Sequence, residues 1–571
     1  MPVLLVLVDF RHEQRMLKHS LFQVAETCLR TSGELPSAQQ SSLGCCTLLV
    51  ASGVGLLIFG YLIPIILTPF GYSIEDHWNE IVYALAQAHP AKYTAAVMIT
   101  PRPRYHFTPP QNFMNDPNGL VFYDGEYHLF YQHNPFGDVW GHMSWGHAVS
   151  SDLIHWEHLP VALHEEDGVM IFSGSAVVDW QNTSGFGEDD NPPLIAIYTG
   201  HSETEQTQNI AFSIDRARTW TKYEGNPILS IGARDFRDPK VFWHERTQRW
   251  IMVTALSDQQ KVRFDASPDL KHWTYLSEFG PTGAVDGLWE CPDLFLLPVE
   301  GQPELKKWIL KVDVLKGTGA QYFVGDFDGI RFISDARDDQ ILSVDYGDDF
   351  YAAQSWSDAS DDRHIWIGWL NNWHYANQIP TSPWRGLFSI PRELRLRKYS
   401  EGLRFVQEPV RELIGIRQPL YHVIGTDVAT VNSELNEVEM DIAGEIQAEF
   451  VIDTAREFGI KICTSDAEET VIGYDTQAQE IFLDRRRAGD NAFSVIFVAV
   501  HRAPLLPERG KINMHIFVDS CSVEVFANDG KIVISDLIFP HSQNINIEFF
   551  TRDGDVHLNK VNIWKLRAET S

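Results

Sequence analysis

Along most of this chain apolar and polar residues alternate in short runs, the signature of strands with one face buried. Residues 127–132, 194–199, 250–255, 308–313 and 365–370 are five similar β-rich segments, spaced about sixty residues apart. In three of the five units a further strand and a Ser/Asp turn lead to a tryptophan: Ser151-Asp152 before Trp156, Ser213-Ile214-Asp215 before Trp220, and Ser267-Pro268-Asp269 before Trp273. Each unit therefore predicts several antiparallel strands joined by short turns, and radial repetition of such sheets predicts a five-bladed β-propeller over residues 101–400. Alternation resumes at 447–452, 511–517, 532–538 and 545–549, which predicts a β-sandwich over 426–571 with a linker at 401–425. The expected fold class is all-β.

The first hundred residues break this pattern. No charged residue occurs from Leu43 to Tyr72, and the apolar core at about 47–69 is long enough to cross a bilayer as one helix. The segment 1–100 thus predicts a transmembrane helix followed by a stalk. Arg11, Arg15, Lys18 and Arg30 precede the span, whereas Glu75, Asp76 and Glu80 follow it. Positive charge is retained on the cytosolic side, so the bulk of the chain is expected outside the cytosol, extracellular or lumenal. It would be a single-pass membrane protein, or a secreted one after release. The sequon Asn182-Thr183-Ser184 fits that location.

Composition narrows the partners. At 571 residues there is material for two folded domains and an N-terminal piece. A formal net charge of -31 repels phosphate backbones and anionic membrane surfaces, so nucleic acid is excluded as a partner and any membrane contact is left to the apolar span. Seventeen tryptophans in an acidic chain suit sugar rings, whose apolar faces lie against indoles, although most must fill β cores. Six cysteines are too few for a disulfide framework, and Cys463 with Cys521 is the only plausible pair.

Candidate chemistry comes from what precedes the repeated strand. Asp116-Pro117 leads into the first unit, Asp238-Pro239 into the third, and Glu290-Cys291-Pro292 into the fourth. The second unit has Phe172-Ser173-Gly174-Ser175 at this place, and the fifth has Phe350-Tyr351-Ala352-Ala353. One Asp-Pro-Asn-Gly stretch is an ordinary turn signal. Three acids, each followed within two residues by proline at equivalent places of a repeat, predict side chains converging on one end of the propeller channel. Such a trio suits metal binding or glycoside hydrolysis, but calcium asks for more oxygen ligands at closer spacing and no histidines accompany the acids. Hydrolysis of a glycosidic bond fits better, with one carboxylate attacking the anomeric carbon and one carboxylic acid protonating the leaving oxygen. Arg237 is expected to help hold its neighbour Asp238 ionised, leaving it to orient hydroxyls rather than donate a proton. No metal and no cofactor are expected.

At these residues the chain resembles glycoside hydrolase family 32, the invertases, inulinases, levanases and fructan exohydrolases. Phe113-Met114-Asn115-Asp116-Pro117-Asn118-Gly119 is similar to that family's WMNDPNG block, with Phe113 in place of tryptophan. Phe236-Arg237-Asp238-Pro239 and Trp289-Glu290-Cys291-Pro292 are similar to its RDP and EC blocks. Residues 346–353 and Ser522-Val523-Glu524-Val525-Phe526 extend the resemblance into the last domain. It implies Asp116 as nucleophile, Glu290 as general acid/base and Asp238 as transition-state stabiliser. It also implies substrate contacts from Asn115, Gln132, Trp140, Ser173, Arg237 and Trp373, of which Gln132 and Trp373 read equally well as packed strand residues. Cys291 reads as a packed neighbour of Glu290 rather than a reactive thiol.

The expected activity is a retaining glycosidase that releases terminal β-fructofuranosyl units from sucrose or fructans such as inulin and levan. A fructosyltransferase would use the same residues and pass the fructosyl group to another sugar. A membrane-tethered sugar-binding protein without catalysis is the reading from a different class, and the three intact acids argue against it. A sialidase-like propeller lacks its arginine cluster and tyrosine nucleophile here.

Overall fold

The computed structural model describes residues 101–567, apart from 189–190, 316–318, 336–339, 437, 439 and 466. The apolar span at 47–69 lies outside the described residues, and among these no helix is long and apolar enough to cross a membrane.

Five inner strands, Asn112–Tyr123, Met170–Val178, Phe236–His244, Leu288–Val299 and Tyr351–Ser355, stand side by side, the last two within one eight-stranded sheet bridged between Val299 and Leu396. Each touches the next and the fifth touches the first, so the ring closes as a five-bladed propeller. Blades I to V are numbered in that order. Within each blade the strands pair antiparallel outward from the inner one, in sequence order for blades I to IV. The Ser/Asp turns explain why blades I and III look alike. Asp152 accepts from the backbone N–H of Ile154 and His155 at 3.0 and 2.8 Å, and Trp156 Nε1 closes the turn on Leu153 O at 3.1 Å. Asp269 repeats this with Lys271 and His272 at 3.0 and 2.9 Å, and Trp273 closes on Leu270 O at 3.1 Å. A short polar side chain thus satisfies the backbone of a tight turn, while the indole packs inward.

All five inner strands carry a bulge at the same height. The ladder to the second strand slips between Met114 and Pro117, Ile171 and Gly174, Arg237 and Lys240, Glu290 and Asp293, and Tyr351 and Gln354. In each blade two residues are left unpaired opposite one. Proline explains the acid-proline signature, because it has no N–H for the ladder and is tolerated at a bulge. The stretch around Asp116 is accordingly not a chain-reversing turn but a bulged part of one 12-residue strand. Gly119, at φ +55, makes a second slip in the same strand.

Two six-stranded antiparallel sheets follow and enclose a core that includes Ile446, Phe450, Phe458, Ile472 and Ile516. Strand Asn544–Arg552 shows the expected alternation, with Ile545, Ile547 and Phe549 inward. Residues 401–425, read as a linker from their interrupted hydrophobic pattern, are mostly paired strand. Gly402–Pro409 is the outermost strand of blade V and Arg417–Asp427 an edge strand of the sandwich, leaving a 3-10 turn at Arg411–Ile416 between them. Cys463 and Cys521 are both free. Cys521 is buried in an apolar cluster with Leu537 and Phe539, so its packing rather than a bond accounts for it.

Candidate active site

The bulges deliver the acids to one place, but from three different positions. Glu290 is the last paired residue before its bulge, Asp238 the first unpaired residue of its own, and Asp116 the second. The expected strict equivalence is therefore loosened by one residue from blade to blade, and residues at equal positions turn out to be partners. Arg237, Glu290 and Tyr351 share the last paired position in blades III, IV and V. Arg237 Nε donates to Glu290 Oε1 at 3.0 Å, and Tyr351 O–H donates to Glu290 Oε2 at 2.5 Å. Asp116 and Ser173 share the second unpaired position in blades I and II, and Ser173 Oγ donates to Asp116 Oδ2 at 2.7 Å. Asp238, Cys291 and Ala352 share the first unpaired position in blades III to V, all with positive φ, of 64, 47 and 54°. That left-handed backbone aims the Cys291 N–H at Asp238 Oδ2, 2.9 Å away.

Asp116 also accepts from Asn115 Nδ2 at 3.0 Å. Cys291 Sγ lies 3.6 Å from both Asp116 Oδ2 and Asp238 Oδ2, so the thiol spans the two carboxyls. Burial and the neighbouring acids push the thiol's own pKa well up, which keeps it protonated and unreactive. Burial raises Asp116, the Ser173 hydroxyl pulls it back, Glu290 pushes it up again, and the carboxyl settles at about 6. Asp238 is raised to about 7 by burial and by Glu290. The Arg237 guanidinium favours the Asp238 carboxylate, in the expected direction, but it is turned to Glu290 and held by Asp235 and Gln206 at 2.8 and 3.2 Å, and burial outweighs its effect.

The remaining expected contacts fall around this cluster. Gln132, buried on the second strand of blade I, donates to Ile171 O at 3.0 Å. Trp140 is exposed at the rim and lies edge-on to Phe172, the neighbour of Ser173, at 6.1 Å. Trp373 is half-buried against Trp369 at 4.7 Å, and Trp369 in turn contacts Tyr351 at 6.4 Å. Tyr351, Gln206 and Asp235 were not singled out from sequence as site residues. For Tyr351 a signal exists in the sequence, since Phe350-Tyr351-Ala352-Ala353 of the fifth unit stands where other units carry their acids.

Below the acids the channel narrows to a cavity of about 10 Å³, room for one water, bounded by Asn118, Ser173, Asp238, Cys291 and Gln354. A buried ion pair lies among the inner strands beyond it, where Lys240 Nζ is 3.3 Å from Asp293 and donates to Ser355 O at 2.7 Å. From the second strand of blade IV, Lys311 pairs with Asp313, which stands opposite Glu290, and donates to Ala353 O of blade V at 2.8 Å. The site is thus a pocket with a floor.

Three carboxyl groups gathered at one end of a closed ring, one of them oriented by an arginine and a tyrosine and another by a serine and an asparagine, supply the paired carboxyls that cleavage of a glycosidic bond demands, and the class that this fold and site define is the glycoside hydrolases. The chain belongs to glycosyl hydrolases family 32, whose N-terminal domain model matches residues 106–409 and whose C-terminal model matches 416–565. It is 49% identical over 478 residues to the levanase of Bacillus subtilis (strain 168), covering 82% of this chain and 70% of that protein. The crystal structure of exo-inulinase from Aspergillus awamori matches with a TM-score of 0.75 at 37% identity, over 82% of this chain and 98% of that one. A fructofuranosidase from Schwanniomyces occidentalis complexed with fructose matches with a TM-score of 0.75 at 32% identity, over 83% of this chain and 100% of the other.

Proposed function

We propose that this protein is a retaining exo-β-fructofuranosidase that removes terminal fructose from sucrose or from fructans. The observation that carries the exo reading is the floored pocket, which accepts a chain end and gives a polymer no path across. The relatives support the substrate class, since a levanase, an exo-inulinase and a fructofuranosidase bound to fructose are among them.

In this reading Asp116 attacks the anomeric carbon, with Ser173 and Asn115 holding its carboxylate in place. Glu290 protonates the leaving oxygen and then takes a proton from the water that resolves the fructosyl-enzyme. Its two oxygens are oriented by Arg237 and Tyr351, so the proton has a fixed direction of transfer. Asp238 holds sugar hydroxyls as charge develops on the ring, and Gln132, Trp140 and Trp373 line the pocket and its rim. Residues 101–400 would carry the chemistry and 426–571 support it. The span at 47–69 would anchor the protein with this part extracellular or lumenal, or be lost on secretion. That the Aspergillus relatives are described as extracellular supports the side of the membrane, and resistance to extraction by alkaline carbonate tests the anchor.

Product analysis over time on inulin, levan and sucrose tests the activity. Free fructose is expected in the first samples without intermediate oligosaccharides. Early short fructans would mean endo attack, and early trisaccharides from sucrose would mean fructosyl transfer.

A further inference from the structure

The sandwich carries no acid of the candidate site, yet its most buried cation ends beside the substrate rim. Arg485 is fully buried on a sandwich strand, Glu480–Arg487. Its Nη1 pairs with Asp349, at the entrance to the inner strand of blade V, and lies 3.5 Å from Asp536. Its Nη2 donates to Tyr375 O–H at 3.0 Å, and that hydroxyl donates to Asp349 Oδ1 at 2.6 Å. Phe497 of the sandwich packs its ring on the guanidinium at 4.2 Å and edge-on to Tyr375 at 5.6 Å.

Tyr375 belongs to the loop that follows the strand Ile365–Trp369 of blade V. Two residues before it stands Trp373. Two residues after it, Asn377 accepts at Oδ1 from the backbone N–H of Trp140 at 2.8 Å. Asn372 at the start of the same loop donates to Asp348 O at 2.9 Å. One loop therefore carries one rim tryptophan and ties down the other, and its buried centre is held by the sandwich.

We propose that Arg485 and Tyr375 are positioning residues for substrate, through which the sandwich sets the placement of Trp373 and Trp140. The inference rests on the reading of these tryptophans as the rim of the sugar pocket. A buried, charge-assisted hydrogen bond is strong and directional, so removing the hydroxyl frees the loop without opening a cavity.

The test compares Tyr375→Phe, Arg485→Met, Trp140→Ala and Trp373→Ala on a fructan trisaccharide. Tyr375→Phe is expected to raise KM by about tenfold while leaving kcat within about twofold, the scale of the hydrogen bonding that the hydroxyl supplies. Its unfolding midpoint should fall less than that of Arg485→Met, because the Arg485–Asp349 pair survives. Arg485→Met should raise KM likewise and lower the midpoint as well, since it leaves Asp349 and Asp536 buried without their cation. If the tryptophan variants raise KM and Tyr375→Phe does not, the inference fails by itself. If the tryptophan variants leave KM unchanged, the rim reading fails and takes the inference with it. A fall in kcat alone for Tyr375→Phe would also overturn it.

Discussion

At Asp116 two hydrogen bonds work against burial. Ser173 and Asn115 favour the carboxylate, while the buried surroundings and Glu290 favour the acid, and the balance places the group at about 6. A nucleophile must be ionised, so kcat/KM should fall as pH drops through that value. Ser173→Ala removes a donor that stabilises the charged form and should move this acid limb to higher pH, as a pH profile of the two proteins would register. An unmoved limb would mean that another group sets it. Asp116→Asn should reduce turnover on every substrate by about 10⁴-fold, the scale of losing a covalent step. Glu290→Gln should differ in kind, keeping the first step on a fructosyl substrate whose leaving group departs without a proton. A burst of that leaving group in rapid-mixing experiments is the readout.

At the level of elements, the bulged inner strand is the device that makes a site out of a repeat. A regular strand would present every second side chain to the channel, whereas a bulge slips the pairing and lets adjacent residues of one strand reach the same cluster. Asn115 and Asp116 do this in blade I, where they meet each other, and Arg237 and Asp238 in blade III, where both reach residues of blade IV. Gly119 is part of the same shaping. A Cβ there would sit 2.6 Å from Phe130 Cδ2 and 2.8 Å from Trp145 Cζ3, on a backbone at φ +55. Gly119→Ala should therefore cost about 1–3 kcal/mol of stability from backbone strain and overpacking together. Denaturant unfolding measures that loss directly, and a neutral result would show that the aromatic pair yields freely.

For the molecule as a whole, the joint between propeller and sandwich is made of buried charge. His106 Nδ1 faces Asp519 at 2.8 Å and Nε2 faces Glu524 at 2.9 Å, so both ring nitrogens donate and the ring is an imidazolium. Arg392 completes the cluster by donating to Glu524 Oε2 at 2.5 Å while its guanidinium lies over Phe350. Burial pulls the His106 pKa down, but the two carboxylates more than compensate and hold it at about 9. Because the folded value lies above the unfolded 6.5, the stabilisation is complete below pH 6.5 and is lost as pH rises through about 9. The unfolding midpoint should consequently decline across that window in the wild-type protein, and the decline should be shallower in His106→Gln. Identical slopes would place the alkaline sensitivity elsewhere, for example at His501 between Asp348 and Asp536.

What the sequence determined by itself was whatever depends on local order. Strand alternation gave five repeats and a sandwich, because side-chain direction in a strand has a period of two residues. Proline after an acid marked the bulges of blades I, III and IV, because a residue without an N–H cannot donate to the ladder and is tolerated at a bulge. The three carboxylates were legible for that reason, and Ser173 and Tyr351 were at least visible as their counterparts. The sequence could not tell which of these residues would touch. Arg237 adjoins Asp238 in the chain but is turned to Glu290, because the closing ring brings blade IV alongside blade III at that height. The linker was misjudged for a related reason, since an edge strand pairs on one side only and shows a weak pattern until its partner is known. Arg485, Tyr375 and His106 carry no local signal at all. Arg485 meets Tyr375 and Asp349 from more than a hundred residues away, and His106 meets Asp519 from farther still, so only the packing of sandwich against propeller decided that these residues are buried and paired.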